Sequence, residues 1–541
     1  TLLKKEISNL NFIFQVTDKE YIFNDIKLLL NNKGINIPEL KSIKQKNKFL
    51  VSGKLNSNNL KLKKEDIERF TDNEFLKLNI KEILFSSDND FSFEIDKDFK
   101  LKNLNIKSIL ELDELKFNNF LNLKSFFPNV NNHITLENQK IEVIYNKDKL
   151  EIAGSGKIFL QDKPDNIQFN IINKKEELIF DLNYNISKNP LLIDFLNFEK
   201  KEKSILNLNF KGKSNNKELL FNKILLSENN NIVSIEDLKL SKDNKINDVK
   251  NIKIEYLDKE NVNNKFQILR KKKNYEIVGQ SLNINKIVTE LLDSKTGNKL
   301  NIFNKSFSLI FDIKRIHLDK ENTVYNLQGS IFLNDNEITK LNLVSEFNDN
   351  KQIKMTIKKD DDEKITTLFS NKARPLVDRY KFIKGFYDGE LDFYSIKKNN
   401  ETKSTLKIYD FKLKELPALT KILTLASLQG IADLLSGEGI RFDEFEMNFT
   451  NKNNLMVIDE IYAIGPAISI LMEGYIEKKD LISLRGTLVP ATTINKTISS
   501  IPVLGSILVG EKVGEGVFGV SFKIKGPPKN LETTVNPVKT L

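Results

Sequence analysis

The chain has no cysteine, no tryptophan and only two histidines among its 541 residues. The absence of cysteine excludes thiol nucleophiles, disulfide bonds and zinc sites built on thiolates. It fits an oxidising compartment that avoids stray thiols, and it fits a cysteine-poor proteome equally well. The two histidines, His133 and His317, are far apart in the sequence, and His317 sits in an alternating segment typical of an ordinary strand residue.

Long hydrophobic runs are also missing. No stretch of about 18 apolar residues occurs, which is the length that a membrane-spanning helix needs, and there is no signal-peptide core. The first residue is Thr1 and not methionine. We therefore expect either a soluble protein or one whose anchor has been cut away.

Charge of one sign is not concentrated anywhere along the chain. Lysine and arginine number 84 against 74 acidic residues, for a net charge of +10, but the two signs are interspersed. The segment 271–273 is one of few tight basic runs. A nucleic-acid-binding protein would cluster its basic residues on one face among exposed aromatic residues, so we expect no nucleic-acid partner.

Motifs for chemistry are scarce. Gly514, Gly516 and Gly519 match a dinucleotide-binding pattern, but the residues that follow alternate as a strand and open no helix to bind phosphate. Phosphate-binding loops, nucleophile elbows and metalloprotease motifs are missing. The acidic run 360–363 is interpreted as a solvated turn. We predict a protein that is not an enzyme, with no catalytic residues, no cofactor and no metal site.

What the chain does contain is apolar residues in alternation, and 40% of its residues are hydrophobic, enough for a core. Phe445, Met447 and Phe449 alternate with polar residues, and the segment 518–524 repeats the pattern with Phe518, Val520, Phe522 and Ile524. This periodicity predicts strands with one apolar and one polar face. Clusters of Asn, Asp, Lys and Gly separate the apolar runs, as hairpin turns require.

Such segments recur about every 10 to 20 residues, which predicts a mainly β chain of repeating hairpins. Roughly 25 to 30 strands at about 4.8 Å each would extend on the order of 120 Å, too far for a compact sandwich. We therefore predict an elongated, curled antiparallel sheet whose apolar side chains line a hydrophobic groove. Alternation alone leaves open whether this groove is open or filled by its own side chains.

A few helices interrupt the strands. We predict short helices over 189–202, with Pro190 at its start, and over 284–294. The clearest helix runs from Leu416 to Leu435, and a second apolar stretch covers 494–509. Packing of these two segments on the sheet and contact with a lipid surface both remain open interpretations.

Several segments of the last third carry a family resemblance. They include RPLVDRYKFIKGFYDGELDFYS, the strand and helix from Asp410 to Phe442, YAIGPAISILMEGYI, LRGTLVPATTINKTISSIPVLGSILVG and GEGVFGVSFKIKGP. The chain resembles the AsmA-like family of bacterial envelope proteins, in particular the YhdP-type branch. Upstream, GQSLNINKIVTELL is similar to a strand-to-helix signature of the family, with Asn283 where an aspartate is usual. The first 270 residues resemble the family only in their alternation of apolar and polar residues.

The resemblance implies a bridge-like lipid-transfer protein of the cell envelope. It would lie in the periplasm, anchored in the inner membrane by an N-terminal helix that is absent from this chain. Its long β-groove would carry phospholipid acyl chains between the inner and outer membranes and so support outer-membrane biogenesis and lipid homeostasis. Envelope proteins are further candidate partners.

We divide the chain into a β-hairpin groove region, 1–270, a continuation of the groove with a short helix, 271–385, and an AsmA-like C-terminal region with two apolar helices, 386–541. The lipid-groove candidates are Phe445, Met447, Phe449, Ile468, Ile470, Met472, Phe518, Val520 and Phe522. The membrane-contact candidates are Leu419, Ile422, Leu423, Ile498 and Leu508.

Two other classes of protein remain. A periplasmic scaffold or assembly factor for outer-membrane proteins would use sheet edges as templates for partner strands. A carbohydrate-active or adhesive β-solenoid would need exposed aromatic ladders or clustered carboxylates on one face, and the sequence shows neither.

Overall fold

In the computed structural model, the chain is mainly β, as the alternation predicts. Contacts divide it into two units at Arg270 and Lys271, which we call unit 1 and unit 2. The structure describes residues 7–30, 33–66, 80–119, 123–201, 203–215, 218–286, 306–334, 337–378, 385–414, 417–425, 437–477, 481–490, 520–527 and 530–537.

Unit 1 is a series of hairpins in which nearly every strand pairs antiparallel with the next. Its strands are β1 (Ile7–Val16), β2 (Glu20–Leu30), β3 (Lys33–Gln45), β4 (Lys48–Lys63), β5 (Ile80–Asp96), β6 (Leu101–Asn118), β7 (His133–Asn146), β8 (Lys149–Phe159), β9 (Asp165–Lys174), β10 (Glu177–Ile186), β11 (Leu192–Ile193), β12 (Phe198–Glu199), β13 (Leu206–Ser214), β14 (Glu218–Glu228), β15 (Asn231–Ser241), β16 (Ile246–Asp248), β17 (Asn251–Leu257) and β18 (Asn263–Lys271).

Unit 2 has the same organisation, and its described residues include two short helices, α1 (Arg374–Val377) and α2 (Pro417–Leu425). Its strands are β19 (Asn274–Asn283), β20 (Phe307–His317), β21 (Thr323–Asn334), β22 (Glu337–Glu346), β23 (Gln352–Asp360), β24 (Glu363–Ser370), β25 (Phe386–Lys398), β26 (Glu401–Leu413), β27 (Ile440–Lys452), β28 (Leu455–Ile464), β29 (Ile468–Glu477), β30 (Leu481–Pro490), β31 (Val520–Gly526) and β32 (Glu532–Pro537).

Tight turns explain why successive strands pair with each other. Two residues separate β9 from β10 and β23 from β24, and Lys175 and Asp361 in these turns have positive φ angles of 55° and 48°. Two-residue hairpins favour turns with positive φ because their twist matches that of the strands. The acidic run 360–363 therefore forms the turn that the sequence predicts.

The predicted sheet needs two corrections. It is mixed, because β19 and β20 are parallel, with Ile277 opposite Phe311. Within each unit the sheet is long and uncurled. Curvature requires bulges or kinks repeated at matching positions of successive strands. In unit 2, the five pairings from β22 to β27 run without a register shift, and positive φ angles occur within only two of these six strands, at Asp388 and Gly389 of β25 and Asp410 of β26.

The helix predicted over 189–202 is wrong. The segment forms the small ribbon β11–β12 around a short 3-10 turn, Asp194–Leu196, which Asn197 ends in a left-handed conformation. Hydrogen bonds to other parts of unit 1 replace those of a helix. The Leu192 backbone amide donates to the Phe126 carbonyl, and the Gln161 side-chain amide donates to the Pro190 carbonyl. The helix predicted from Leu416 does begin at Pro417. Its second half and most of the helix predicted over 284–294 fall in residues 426–436 and 287–305, which lie outside the described ranges.

One end of unit 1 is covered by the segment 187–201, held by buried polar side chains. The Asp165 carboxylate, 1% exposed, accepts hydrogen bonds from the backbone amides of Ser187 and Lys188, from the Asn189 amide at 2.6 Å and from the Tyr184 hydroxyl at 3.2 Å. Two other buried carboxylates accept hydrogen bonds from side-chain amides, Glu228 from Asn231 and Asp258 from Asn264. We call 187–201 with these side chains the polar cap.

One end of unit 2 is covered by helices. Leu419, Ile422 and Leu423 of α2 belong to a buried apolar cluster together with Val377 of α1. From the strands, the cluster includes Phe386, Phe411, Ile440, Phe442, Ile468 and Leu488. Rings of Phe386, Phe411 and Phe442 stack across β25, β26 and β27 with centroids 5.3 Å apart. We call α1, α2 and this cluster the helix cap.

Candidate functional site

The strands of unit 2 present continuous apolar rows on one face of the sheet. Side chains of directly opposite residues in neighbouring strands project to the same side, so register alone defines the rows. From β25 to β32, one row contains Phe393, Leu406, Met447, Ile461, Met472, Gly486, Phe522 and Val535, and from β25 to β31 the next contains Leu391, Ile408, Phe445, Ala463, Ile470, Leu488 and Val520. We call this surface the apolar face of unit 2.

The structure brings the described groove candidates together on this face. Met447, Met472 and Phe522 lie in the first row, and Phe445, Ile470 and Val520 lie in the second. Phe449 pairs with Ser404 and Ile458 in a third row, and Ile468 pairs with Pro490 at the end of the face. The ninth candidate, Phe518, lies outside the described residues.

Burial differs along the face. Ile468 and Leu488 are fully buried within the helix cap, and Val520, opposite Leu488, is fully buried as well. Met447 and Phe449, further along β27, are half-buried and are not part of the buried cluster. The large side chains in this part of the face therefore keep some of their surface accessible.

Three of the membrane-contact candidates lie in the described helix α2. Leu419, Ile422 and Leu423 are at most 4% exposed and pack in the helix cap. Of the two interpretations left open by the sequence, the structure agrees with packing of this helix on the sheet. Contact of these side chains with a membrane would require α2 to leave the sheet. Ile498 and Leu508 lie outside the described residues.

The opposite face of unit 2 carries polar side chains, several of which pair with one another. The Lys407 ammonium lies 2.7 Å from the Glu446 carboxylate, which also accepts hydrogen bonds from Tyr462 at 2.6 Å and Asn448 at 2.9 Å. Burial acts to raise the pKa of Glu446, but these hydrogen bonds outweigh it and hold the pKa below its ordinary value. Burial and the two neighbouring glutamates raise the pKa of Tyr462. The sheet therefore separates an apolar surface from a charged, hydrated one.

Unit 1 also has an apolar face. We predicted no groove residues in this unit from the sequence. One row runs through ten strands, from β6 to β18, and contains Leu110, Ile141, Gly154, Phe169, Leu182, Phe210, Ile224, Ile235, Ile252 and Ile268. The alternation in QFNIINKKEELIFDLNYNIS and SILNLNFKGKSNNKELLFNKILLS was the available signal for several of these positions.

Glycines opposite phenylalanines recur on both apolar faces. Gly154 pairs with Phe169 and Gly486 pairs with Phe522. A Cβ atom at Gly154 would lie 2.6 Å from the Phe169 ring, and one at Gly486 would lie 2.7 Å from the Phe522 ring. Each ring therefore lies across the backbone of the neighbouring strand and occupies the space of a missing side chain.

Sites for chemistry are not evident. Within the described ranges, no group of three His, Asp or Glu residues is placed to hold a metal ion. The helices in that part of the chain are all too short or too polar to cross a membrane. A scan against protein-family models finds no match for this chain, and no curated protein matches it.

Proposed function

We propose that this chain transports phospholipids between bacterial inner and outer membranes without enzymatic chemistry, by shielding their acyl chains along its apolar faces in the periplasm. The observation that supports this most is the continuity of the two apolar rows, over eight and seven consecutive strands of unit 2. The resemblance to AsmA-like proteins, which remains a prediction, supports the same function.

The energetics favour such a role for an extended apolar face. Exposing an acyl chain to water costs about 0.8 kcal/mol per CH₂ group, a large barrier for a whole chain. Contact with half-buried side chains such as Met447 and Phe449 removes part of that exposed surface. The transfer then requires neither a bound nucleotide nor a covalent step, and the polar headgroup stays at the hydrated rim of the sheet.

The proposal is tested by extracting lipid from the purified, detergent-free chain and counting phospholipids by mass spectrometry. We compare it with the double variant Met447→Asp with Phe449→Asp, which adds two charges to the apolar face. The matched control is Ser469→Asp with Thr487→Asp, which adds two charges to the opposite face, where these residues pair with Val489 and Leu471.

We expect several phospholipids on the parent chain and on the control, and few on the apolar-face variant, with all three retaining their β circular dichroism. A charge placed among apolar side chains costs several kcal/mol if the site is a packed core. Unfolding of the apolar-face variant alone would therefore mean that the face is filled by its own side chains. Lipid on none of the three chains would also contradict the proposal.

A scaffold for outer-membrane proteins is the second candidate, and strand β1 favours it. Among the described strands, β1 pairs with β2 alone, and it has no charged residue. Phe12, Ile13 and Phe14 are 43% to 56% exposed. Edge strands normally carry charges or proline that prevent pairing with other chains, so β1 has the features of a template for a partner strand. Envelope proteins captured in place of lipid would support this function.

A further inference from the structure

A depression of about 390 Å³ lies on the polar face of unit 2, where β24, β25 and β26 are adjacent. Two neighbouring rows of side chains form most of it, and Tyr409 of the next row completes the lining. Phe369, Asp392 and Lys407 are opposite one another in the first row, and Thr367, Tyr394 and Thr405 in the second. Three strands and two rows span about 10 Å by about 7 Å. The volume falls within the range of small-molecule sites.

Charges within the depression do not favour an anion. Lys407 is held by Glu446 at 2.7 Å, and this hydrogen bond raises the pKa of the lysine. Asp392 is exposed, and its carboxylate has no hydrogen-bond or ion-pair partner among the described residues. The depression therefore offers a free acceptor and a neutralised cation, which suits a ligand that donates hydrogen bonds.

Aromatic rings and hydroxyl groups complete the lining. Tyr394 is 43% exposed, and Tyr409 and Phe369 lie on the adjoining strands. The row of Tyr394 is free of charge over six strands from β22 to β27 and contains Asn342, Thr356, Thr367, Tyr394, Thr405 and Asn448. Aromatic faces bind apolar C–H surfaces, while hydroxyl and carboxylate oxygens accept hydrogen bonds from hydroxyl groups.

We propose that this depression binds a saccharide. A sugar ring presents C–H groups on its faces and hydroxyl groups around its edge, which matches Tyr394 and Tyr409 beside Asp392 and the two threonines. The site lies on the face opposite to the apolar rows and does not depend on lipid transport. The sequence did not predict it, because residues 367–369, 392–394 and 405–409 come together only through the register of three strands.

The test is isothermal titration calorimetry of the whole chain with cellotriose and with chitotriose, one neutral oligosaccharide without and one with acetamido groups. We expect saturable binding of at least one of them in the millimolar range, as is usual for a shallow site with few contacts. Asp392→Asn and Tyr394→Ala are each expected to weaken binding by about tenfold, since each removes one principal contact. Tyr394→Phe, which keeps the ring, should retain most of the affinity.

Tyr475→Ala is the matched control. Tyr475 lies on the same polar face in β29, opposite Val457 and Ser483, and it is 36% exposed. No binding of either sugar at about 10 mM, ten times a typical millimolar constant, would overturn the proposal. So would equal losses in Tyr475→Ala and Tyr394→Ala, or binding of inorganic phosphate in place of sugar. Lipid content, measured on the same samples, reports separately on the proposed transport.

Discussion

The polar cap of unit 1 and the helix cap of unit 2 both cover the end of a sheet, but the polar cap combines buried Leu191 and Phe198 with buried carboxylates, whereas the buried cluster of the helix cap is apolar. In the polar cap, Asp165, Glu228 and Asp258 are each at most 5% exposed and accept directional hydrogen bonds. In the helix cap, the fully buried side chains are apolar, as with Leu423 and Ile440. Apolar contacts have no preferred direction, whereas hydrogen bonds do.

This difference predicts which cover can move. Lifting the polar cap would leave buried carboxylates and amides without partners, which costs about 1 to 3 kcal/mol for each unsatisfied group. Lifting α2 exposes Leu419, Ile422 and Leu423, at about 1.5 to 3 kcal/mol for each side chain. These apolar contacts have no fixed direction, so they can be replaced by contacts with another apolar surface. We therefore expect the helix cap to be the adaptable cover and the polar cap to be the fixed one.

The largest effect should come from breaking the polar cap at its centre. Asp165→Ala leaves two backbone amides, the Asn189 amide and the Tyr184 hydroxyl without their acceptor. We expect a loss of about 4 kcal/mol in the free energy of unfolding, measured in urea, with faster hydrogen exchange in 187–201. Asp162→Ala, at an exposed acidic residue nearby, should change neither quantity. A small loss for Asp165→Ala would show that water replaces the missing acceptor.

A smaller and more local loss should follow from weakening the helix cap. Leu423→Ala removes a fully buried side chain and should cost about 3 kcal/mol, typical of a leucine truncation in a core. Hydrogen exchange should accelerate in α2 and remain unchanged in β21 to β24. The control is Thr424→Ala, which alters an exposed side chain of the same helix. Accelerated exchange across the whole of unit 2 would contradict an adaptable cover.

Alkaline pH should distinguish the two caps. Burial, and then the neighbouring charge of Asp165, raise the pKa of Tyr184 above its ordinary value of 10.0, and burial with Asp258 does the same for Tyr256. The unfolded chain loses these protons first, so their contribution is complete below about pH 10 and falls as the pH rises further. We expect a loss of about 1.4 kcal/mol per pH unit for each tyrosine above that value.

The measurement is the urea midpoint at about pH 8 and about pH 11. Tyr184→Phe should show a smaller drop between the two pH values than the parent chain does. Tyr475→Phe, at an exposed tyrosine, should behave like the parent. An identical drop in Tyr184→Phe and the parent would mean that the polar cap has already opened at pH 11.

The smallest effect is expected on the open surface, away from both caps. The Arg485 Nε and Nη2 atoms both donate to one oxygen of Glu473, Oε1, at 2.6 Å, and the Arg485 side chain is 77% exposed. Such pairs contribute about 0 to 1 kcal/mol, because water and salt screen them. A double-mutant cycle with Arg485→Ala and Glu473→Ala should give a coupling energy in that range and below the effect at either cap. A larger coupling would show that surface ion pairs also fix this sheet.

Alternation predicted the strands and the two faces, because a two-residue period is visible in sequence alone. It could not predict where the period changes. Ile408 and Phe411 lie on the same face although they are three residues apart, because Asp410 between them has a φ of 51°. Phe442 and Phe445 are shifted in the same way, opposite them on β27. Such irregularities depend on the partner strand, which the sequence does not identify.

The same distinction applies to the candidate site, where some residues were predictable from a single strand and others were not. The groove residues of β27 were predictable from their own strand, since Phe445, Met447 and Phe449 alternate with polar neighbours. The burial of Leu419, Ile422 and Leu423 was not, because an apolar helix has the same pattern whether it meets a sheet or a membrane. The saccharide site needed the register of three strands.

The glycines opposite phenylalanines determine how far the phenylalanine rings project from the apolar faces. Because no Cβ stands at Gly486, the Phe522 ring lies low over the neighbouring backbone and does not project from the face. A methyl group at Gly154 would meet the Phe169 ring first, at 2.6 Å, and would tilt that ring upright, whereas one at Gly486 would first meet the Leu471 carbonyl oxygen, at 2.3 Å. The height available to an occupant of the apolar face of unit 1 is thus adjustable at Gly154 by a substitution that adds no charge.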